Sequence, residues 1–499
     1  MATNKTSFDL AIIGGGINGC GIARDAAGRG ARVLLLEQGD LASGTSSAST
    51  KLIHGGLRYL EHYEFGLVRE SLTERERLWR IAPHIISPLR FVLPHRPGLR
   101  PRWLLRAGLW LYDHLGGREL LLGTKSIDLR HHPAGAPLRQ GFVRGWEYSD
   151  GWVDDARLVI LNARDAANRG ATVLTRQCVT GAARVEQGWR LDVERSDGSQ
   201  TAYRARVLIN AAGPAVLDIL ALAAVRAAHR VGRIRGSHIV VPRLFDHGFA
   251  YFFQRADQRV FFAIPYEHDF TLIGTTETVH DRPLDKVEAT AEEIAYLCAG
   301  ANEYFRRPIS AADVVWSYAG VRALVDSGDG RSDAASRGYR IDIDSPNGAA
   351  PLLSVFGGKI TTYRRLAEDA VDRLVPYIAE MNKPHWTASE PLPGGDFDVE
   401  GLNTLVVALA ARYPFLDAVE SRRVASAYGT LASIWLGSAR TRCDLGQDFG
   451  GGLSAAEVDY CMAREWARTA DDMLWRRSKL GLRMTDTERA NLQDYMAER

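Results

Sequence analysis

The chain has 499 residues, of which 46% are hydrophobic and 24% charged, which excludes disorder and fibrous repeats and leaves room for two or three domains. Its formal net charge is only +2, so any anion site has to come from a local cluster, and no nucleic-acid partner is expected. The five cysteines are scattered without CxxC or CxxH spacing, which argues for a reducing compartment and against a disulfide framework or a metal site.

The N-terminus runs straight into a strand pattern. That pattern lacks the basic, apolar and cleavage segments of a signal peptide, so none is expected, and no apolar run approaches the ~20 residues that cross a bilayer. The protein is therefore expected in the cytosol or on a membrane surface. Leu10 to Ile13 form an apolar run suited to a buried parallel strand. Gly14, Gly16 and Gly19 follow as G-x-G-x-x-G. The first permits a tight turn, the second lets a pyrophosphate approach, and the third packs helix on strand. Ile17 to Gly28 read as the helix, Arg32 to Leu36 as a second strand, and Glu37 as the acid that accepts from a ribose hydroxyl. This is a dinucleotide site. Its place at the extreme N-terminus, before a long strand-rich remainder, favours FAD over NAD.

Further along, "VLPHRPGLRPRWLLRAGLWLYDHLGG" combines Arg96, Arg100, Arg102 and Arg106 with an apolar helix at Trp103 to Leu115. Two readings stay open: a helix lying on anionic lipid, or one packed on the cofactor domain with its arginines solvated. Short strands fill 171–210, and Val207 to Ile209 lead into the turn Asn210 to Pro214. "GSHIVVP", "GFAYFFQ", "QRVFFAIPY" and "FTLIGTTE", between 236 and 280, read as successive strands of a sheet roofing the cofactor. "LLSVFGGKITTYRRLAEDAVDRL" places a Gly357-Gly358 turn between strand and helix, the third corner of this kind. Residues 389–398 read as a linker, and the remainder as helical.

The segments "IIGGGINGCGIARDAAGRG", "SSASTKLIHGGLRYLE", "WVDDARLV", "GSHIVV", "IGTTE", "YAGVRAL" and "VFGGKITTYRRLAE", with "CDLGQDFGGGLSAAEVDYCMAREWARTADDMLWRRSKLGL" near the C-terminus, resemble the FAD-dependent aerobic glycerol-3-phosphate dehydrogenases of bacteria over nearly the whole chain. The resemblance implies an α/β fold. It comprises a discontinuous FAD-binding Rossmann-like domain of the D-amino-acid-oxidase type (1–80, 150–235 and 340–388), an antiparallel substrate-binding region (81–149 and 236–339) and an α-helical C-terminal domain (399–499). It implies oxidation of sn-glycerol 3-phosphate to dihydroxyacetone phosphate, with electrons passing through FAD to ubiquinone or menaquinone. It also implies a homodimer, attached peripherally to the cytoplasmic face of the inner membrane.

By the same resemblance Arg58 and Tyr59 face the substrate, Arg322 and Lys359 border its oxygens, and Arg337 lies near the phosphate. His238 and Thr275 come from the roofing sheet. A dianionic substrate calls for clustered cations. The proton acceptor is assigned to His238, with His54 as the rival. The cofactor contacts implied are Gly14, Gly16, Asn18, Gly19, Glu37, Thr45, Ser46, Ser47, Lys51, Leu52, Gly56, Val179, Ala211, Gly213, Gly357, Gly358, Lys359, Ile360 and Thr361, with Ser46, Ser47 and Lys51 along the pyrophosphate and flavin. The C-terminal "ADDMLWRRSKLG" reads as a helix with a solvated basic face and receives no chemistry. The alternatives are a glycerol-3-phosphate oxidase that reduces oxygen, an amine or amino-acid oxidase, and a flavin-binding protein without turnover.

Overall fold

The run expected at Leu10 to Ile13 is the buried half of a strand, Ser7–Ile13, at the centre of an eight-stranded sheet. The structure, a computed structural model, describes residues 7–96, 101–255, 257, 259–325 and 338–499. Arg337 and Arg100 lie outside the described residues. Strands Gln200–Asn210 and Val33–Leu36 flank the central strand in parallel. Leu352–Gly357 and Thr172–Leu174 extend the parallel set on either side. Such strands are covered on both faces, which is why Leu34, Leu35, Leu208 and Leu353 are all fully buried. The crossover helix is Ile17–Gly28, packed with the helices Asp155–Asn168 and Tyr363–Leu374.

A second, ten-stranded sheet lies over the carboxyl ends of the first. It takes Ile86–His95 and Arg144–Val153 from one part of the chain, and Val231–Pro242, Ala250–Gln254, Val260–Tyr266, Phe270–Gly274 and Trp316–Val325 from another. One face packs under the helix Ala291–Tyr304 through Ile239, Phe253, Phe261 and Ile273. The other carries Phe91, Tyr148, Val240, Ile264 and Leu272 and faces the first sheet's ligand side. The aromatic and β-branched content read from sequence is the two-sided burial of this sheet.

Residues 389–398 contain no helix or strand. They are not a free tether, because Leu392 is buried and its N–H donates to Ile81 O at 2.7 Å. Beyond them the helices Leu402–Arg412, Ala418–Tyr428, Ala455–Arg464 and Asp486–Ala497 close around a core of Tyr428, Cys461, Met473 and Leu492.

Candidate active site

The first strand ends at the glycine turn, and a Cβ on Gly14 would sit 2.6 Å from Ala211 O. One on Gly19 would sit 1.9 Å from Gly14 O. No side chain larger than hydrogen fits either position, so the helix N-terminus meets the strand at backbone distance. Glu37 caps the second strand and accepts from Gly15 N at 2.6 Å and Gly39 N at 2.7 Å. Burial raises its pKa above the usual carboxylate range. Ile17 N donates to Ser46 Oγ at 3.0 Å, which fastens the 45–50 loop over the helix N-terminus.

These groups open onto a cavity of about 1070 Å³ between the two sheets. Of the expected cofactor residues, all but Gly19 and Lys51 line it. Gly19 acts from beneath, through packing. Lys51 is a correction. Its side chain is fully buried away from the cavity, with Nζ 2.8 Å from Asp155 Oδ1 and 3.1 Å from Ser47 O. An ammonium with a buried carboxylate in reach pairs with it, so Lys51 pins the loop from behind.

At the roof end, His54, Arg58, Tyr59, His238, Thr275, Arg322 and Lys359 line the same cavity. Arg322 Nη2 donates to Thr275 Oγ1 at 3.2 Å, and Arg58 and Arg322 each stand 3.5 Å from one carboxylate oxygen of Glu277. The Lys359 ammonium sits 3.6 Å over the Tyr59 ring. The His54 N–H donates to Thr361 Oγ1 at 3.3 Å. Two guanidiniums thus face one carboxylate, with the Lys359 ammonium on the same lining. His238 is buried, its Nε2 lies 2.9 Å from Thr50 Oγ1, and its ring stacks on Tyr318 at 4.9 Å. Burial, and then the charges of Arg322 and Lys51, hold its pKa well below the ordinary imidazole value, so it is neutral at pH 7.

The cavity fits FAD by its own unmet polar atoms. Asn18 Oδ1, Gln177 Oε1 and His238 Nδ1 are buried on the lining with no hydrogen-bond partner among the described residues. The first lies by the glycine turn, the second near Glu37, and the third at the roof. Glu37 stands where a ribose hydroxyl is held, and the glycine turn where a pyrophosphate is held.

Sequence reasoning missed Glu277, although it closes the quoted "IGTTE", and missed Trp316 and Tyr318. It also misread the C-terminal basic face. Arg477 is fully buried, and its Nη1 and Nη2 lie 2.6 Å and 2.8 Å from the two oxygens of Asp40. Asp471, Trp475 and Arg476 line the cavity. The partner acid lies more than four hundred residues away in the chain, so local pattern shows only a run of arginines.

A family model described as FAD dependent oxidoreductase matches residues 9–364, and one described as the C-terminal domain of alpha-glycerophosphate oxidase matches 385–498. The chain is 50% identical to a glycerol-3-phosphate dehydrogenase of Pseudomonas aeruginosa, covering 98% of this chain and 95% of that one. It is 49% identical to a D-erythritol 1-phosphate dehydrogenase of Brucella abortus, covering 99% and 98%. The crystal structure of the glycerol-3-phosphate dehydrogenase from Bacillus halodurans complexed with FAD superposes with a TM-score of 0.75 at 27% identity, covering 99% of this chain and 94% of that one. With its cradle, its roofing sheet and its C-terminal helical domain all matched, the chain belongs to the FAD-dependent glycerol-3-phosphate dehydrogenase family.

Proposed function

We propose that the protein oxidises sn-glycerol 3-phosphate at C2 to dihydroxyacetone phosphate and passes the electrons to a membrane quinone. The observation that carries this reading is that Arg58, Arg322, Lys359 and a neutral His238 line the same cavity as the FAD cradle. FAD supplies the acceptance of a hydride from the alcohol carbon. The chain supplies the rest. Arg58 and Arg322 hold the phosphate, with Glu277 bridging the two guanidiniums and fixing their positions. Lys359, fixed over Tyr59, holds the oxygen side of the carbinol. His238 takes the hydroxyl proton, and it is available because it is uncharged. A bound phosphate dianion offsets the field of Arg322, which raises the affinity of His238 for that proton. His54, tied to the Thr361 hydroxyl through its backbone, lies on the cofactor side.

A second reading rests on the Brucella relative, whose name gives a four-carbon polyol phosphate and which is almost as similar as the Pseudomonas one. Anaerobic titration of the yellow holoenzyme with each compound separates the two. Bleaching is expected with glycerol 3-phosphate at the lower concentration. Preferential bleaching by D-erythritol 1-phosphate selects the second reading, and bleaching by neither overturns both.

Attachment to a membrane surface is supported by the helix Arg102–Leu115. Its inner side buries Leu109 and Tyr112, and its outer side exposes Trp103 (71%), Leu104 (44%) and Trp110 (61%) beside Arg102 and Arg106. No helix among the described residues is long and apolar enough to cross a membrane. Cosedimentation with anionic vesicles is expected, and a Trp103→Ser, Trp110→Ser double variant is expected to stay in the supernatant.

A further inference from the structure

His238 lines the cavity, yet it is only 1% exposed. Its surroundings explain this. In the roofing sheet Tyr318, His238, Gly274, Phe262 and Phe252 stand opposite one another in one row across five strands. The Tyr318 ring covers one face of the imidazole, with 12° between the planes. The Cδ2–Nε2 edge lies over the Gly274 backbone, where a Cβ would stand 2.0 Å from Cδ2 and 2.7 Å from Nε2. Nδ1 is buried. Nε2 meets Thr50 Oγ1 at 2.9 Å. Thr50 also lines the cavity and is partly exposed. Of this hydrogen-bonded pair, Thr50 is the member with surface left for a ligand.

Thr50 is held there from both sides. Ser49 before it gives its N–H and its hydroxyl to Asp155 Oδ2, at 3.2 Å and 2.7 Å. Lys51 after it, at a left-handed φ of 59°, puts Nζ 2.8 Å from Asp155 Oδ1. Asp155 is fully buried, so both neighbours are anchored to one carboxylate behind the loop. Tyr318 completes the frame. Its hydroxyl donates to Ser49 O at 2.8 Å while its ring stacks on His238. One side chain thus sets the threonine loop against the histidine.

We infer that Thr50 is a proton relay: its Oγ takes the C2 hydroxyl proton of the substrate as its own proton passes to His238 Nε2. This deepens the proposed function and rests on its choice of His238 as the proton acceptor. A hydroxyl donates and accepts at once, and a general base works through one intervening water as well as directly. The threonine holds that water's place permanently. The substrate O–H bond breaks, and its electron pair becomes the second bond of the ketone. A new O–H bond forms on Thr50 as the old one breaks, so the threonine ends as it began. The Nε2–H bond forms, and His238, with its other proton on Nδ1, becomes an imidazolium. The C2 hydrogen leaves with its electron pair for FAD.

The test is the anaerobic bleaching rate of the yellow holoenzyme by glycerol 3-phosphate. In Thr50→Val, of the same shape but without the hydroxyl, the limiting rate is expected to fall about 10²-fold, and Thr50→Ser is expected to recover most of it. Affinity for n-propyl phosphate, which has no C2 hydroxyl, is measured by calorimetry and should not change. Thr50→Val combined with His238→Gln should be no slower than the slower single variant, because both cut one path. Thr50→Ala should show the same coupling at smaller size, since a water fits where the hydroxyl was, and it covers the case in which Thr50→Val does not hold flavin. In wild-type protein labelled at histidine with the heavy nitrogen isotope, the magnetic resonance signal that His238→Gln removes should be that of an unprotonated Nε2. A Thr50→Val enzyme that bleaches as fast as wild type, additive losses in the double variant, or a protonated Nε2 each overturns the relay and leaves the substrate reading standing. A wild type that neither polyol phosphate bleaches overturns the substrate reading and the relay with it.

Discussion

The floor and the roof of the cavity recognise by different means. The floor is made of backbone: Gly14, Gly16 and Gly19 bring a helix N-terminus against a strand, and the Glu37 carboxylate is fixed there by the amides of Gly15 and Gly39. The roof is made of side chains held in register, with Arg322, His238 and Phe262 projecting from the sheet's strands and Thr275 just past the end of one. A backbone site admits no Cβ but is indifferent to most surface change. A side-chain site tolerates loss of one member and keeps its shape. The first binds a cofactor that stays, and the second handles ligands that come and go.

The comparison breaks most completely at Gly19→Val. The added carbons would overlap Gly14 O, which no rotamer relieves. The turn opens and the helix leaves the strand, so the purified protein is expected to be colourless, with a flavin-to-protein absorbance ratio near zero. A yellow Gly19→Val protein would mean that the floor is held by something other than close backbone packing.

Arg322→Ala is the matching change in the roof. The expected loss in kcat/KM is about 10²–10³-fold, on the order of 3–4 kcal/mol, as for removal of one preorganised charge donor. The flavin content should be that of wild type. Arg322→Lys restores charge but not the fork that reaches both Thr275 and Glu277, so recovery should be partial. Equal losses of flavin and activity would erase the distinction between floor and roof.

The floor was legible in the sequence because every part of it is local. The glycine triad, the helix and Glu37 fall within residues 10–37, and each follows from a turn or a strand end. The roof was legible strand by strand, from aromatic and β-branched runs, but its registers were not. The row from Tyr318 to Phe252 depends on four pairings among five strands, and a slip of one residue in any of them would turn a phenyl ring out of the cavity. The family resemblance supplied His238, Thr275 and Arg322 where spacing alone did not. Lys51 and Arg477 escaped for a third reason. Each is a cation whose role is set by a distant buried acid, Asp155 or Asp40, and sequence distance carries no trace of that.

Arg477→Ala probes that third kind of contact, which fastens the C-terminal domain to the floor. Asp40 would keep Arg476, so the loss is expected at the lower end for a broken buried pair, about 3 kcal/mol. It would appear as a lower melting temperature, with cofactor and substrate affinity little changed at 25 °C. If flavin is lost first, the C-terminal domain is part of the floor and not merely its brace.

The smallest effect separates floor from brace by pH. His84 is buried where the packed 389–398 segment meets the cofactor domain, 6.3 Å between ring centroids from Phe397. Burial, and then the nearby Arg157, push it down to about 3. In the unfolded chain the same group titrates near 6.5. Between those values the unfolded state binds the extra proton, so this contribution is complete above pH 6.5 and is lost as the pH falls. At pH 5 the loss is about 2 kcal/mol, from about 1.36 kcal/mol per unit of pH. His84→Leu removes this dependence. The stability difference between wild type and variant, from denaturant titrations at pH 7 and pH 5, should shift toward the variant by that amount as the pH drops. Among the described residues no imidazole is hydrogen-bonded to Glu37 or the glycine turn, so flavin retention should follow this change only after the C-terminal domain has loosened. An unchanged difference between the two pH values would show that His84 does not stay neutral at this junction.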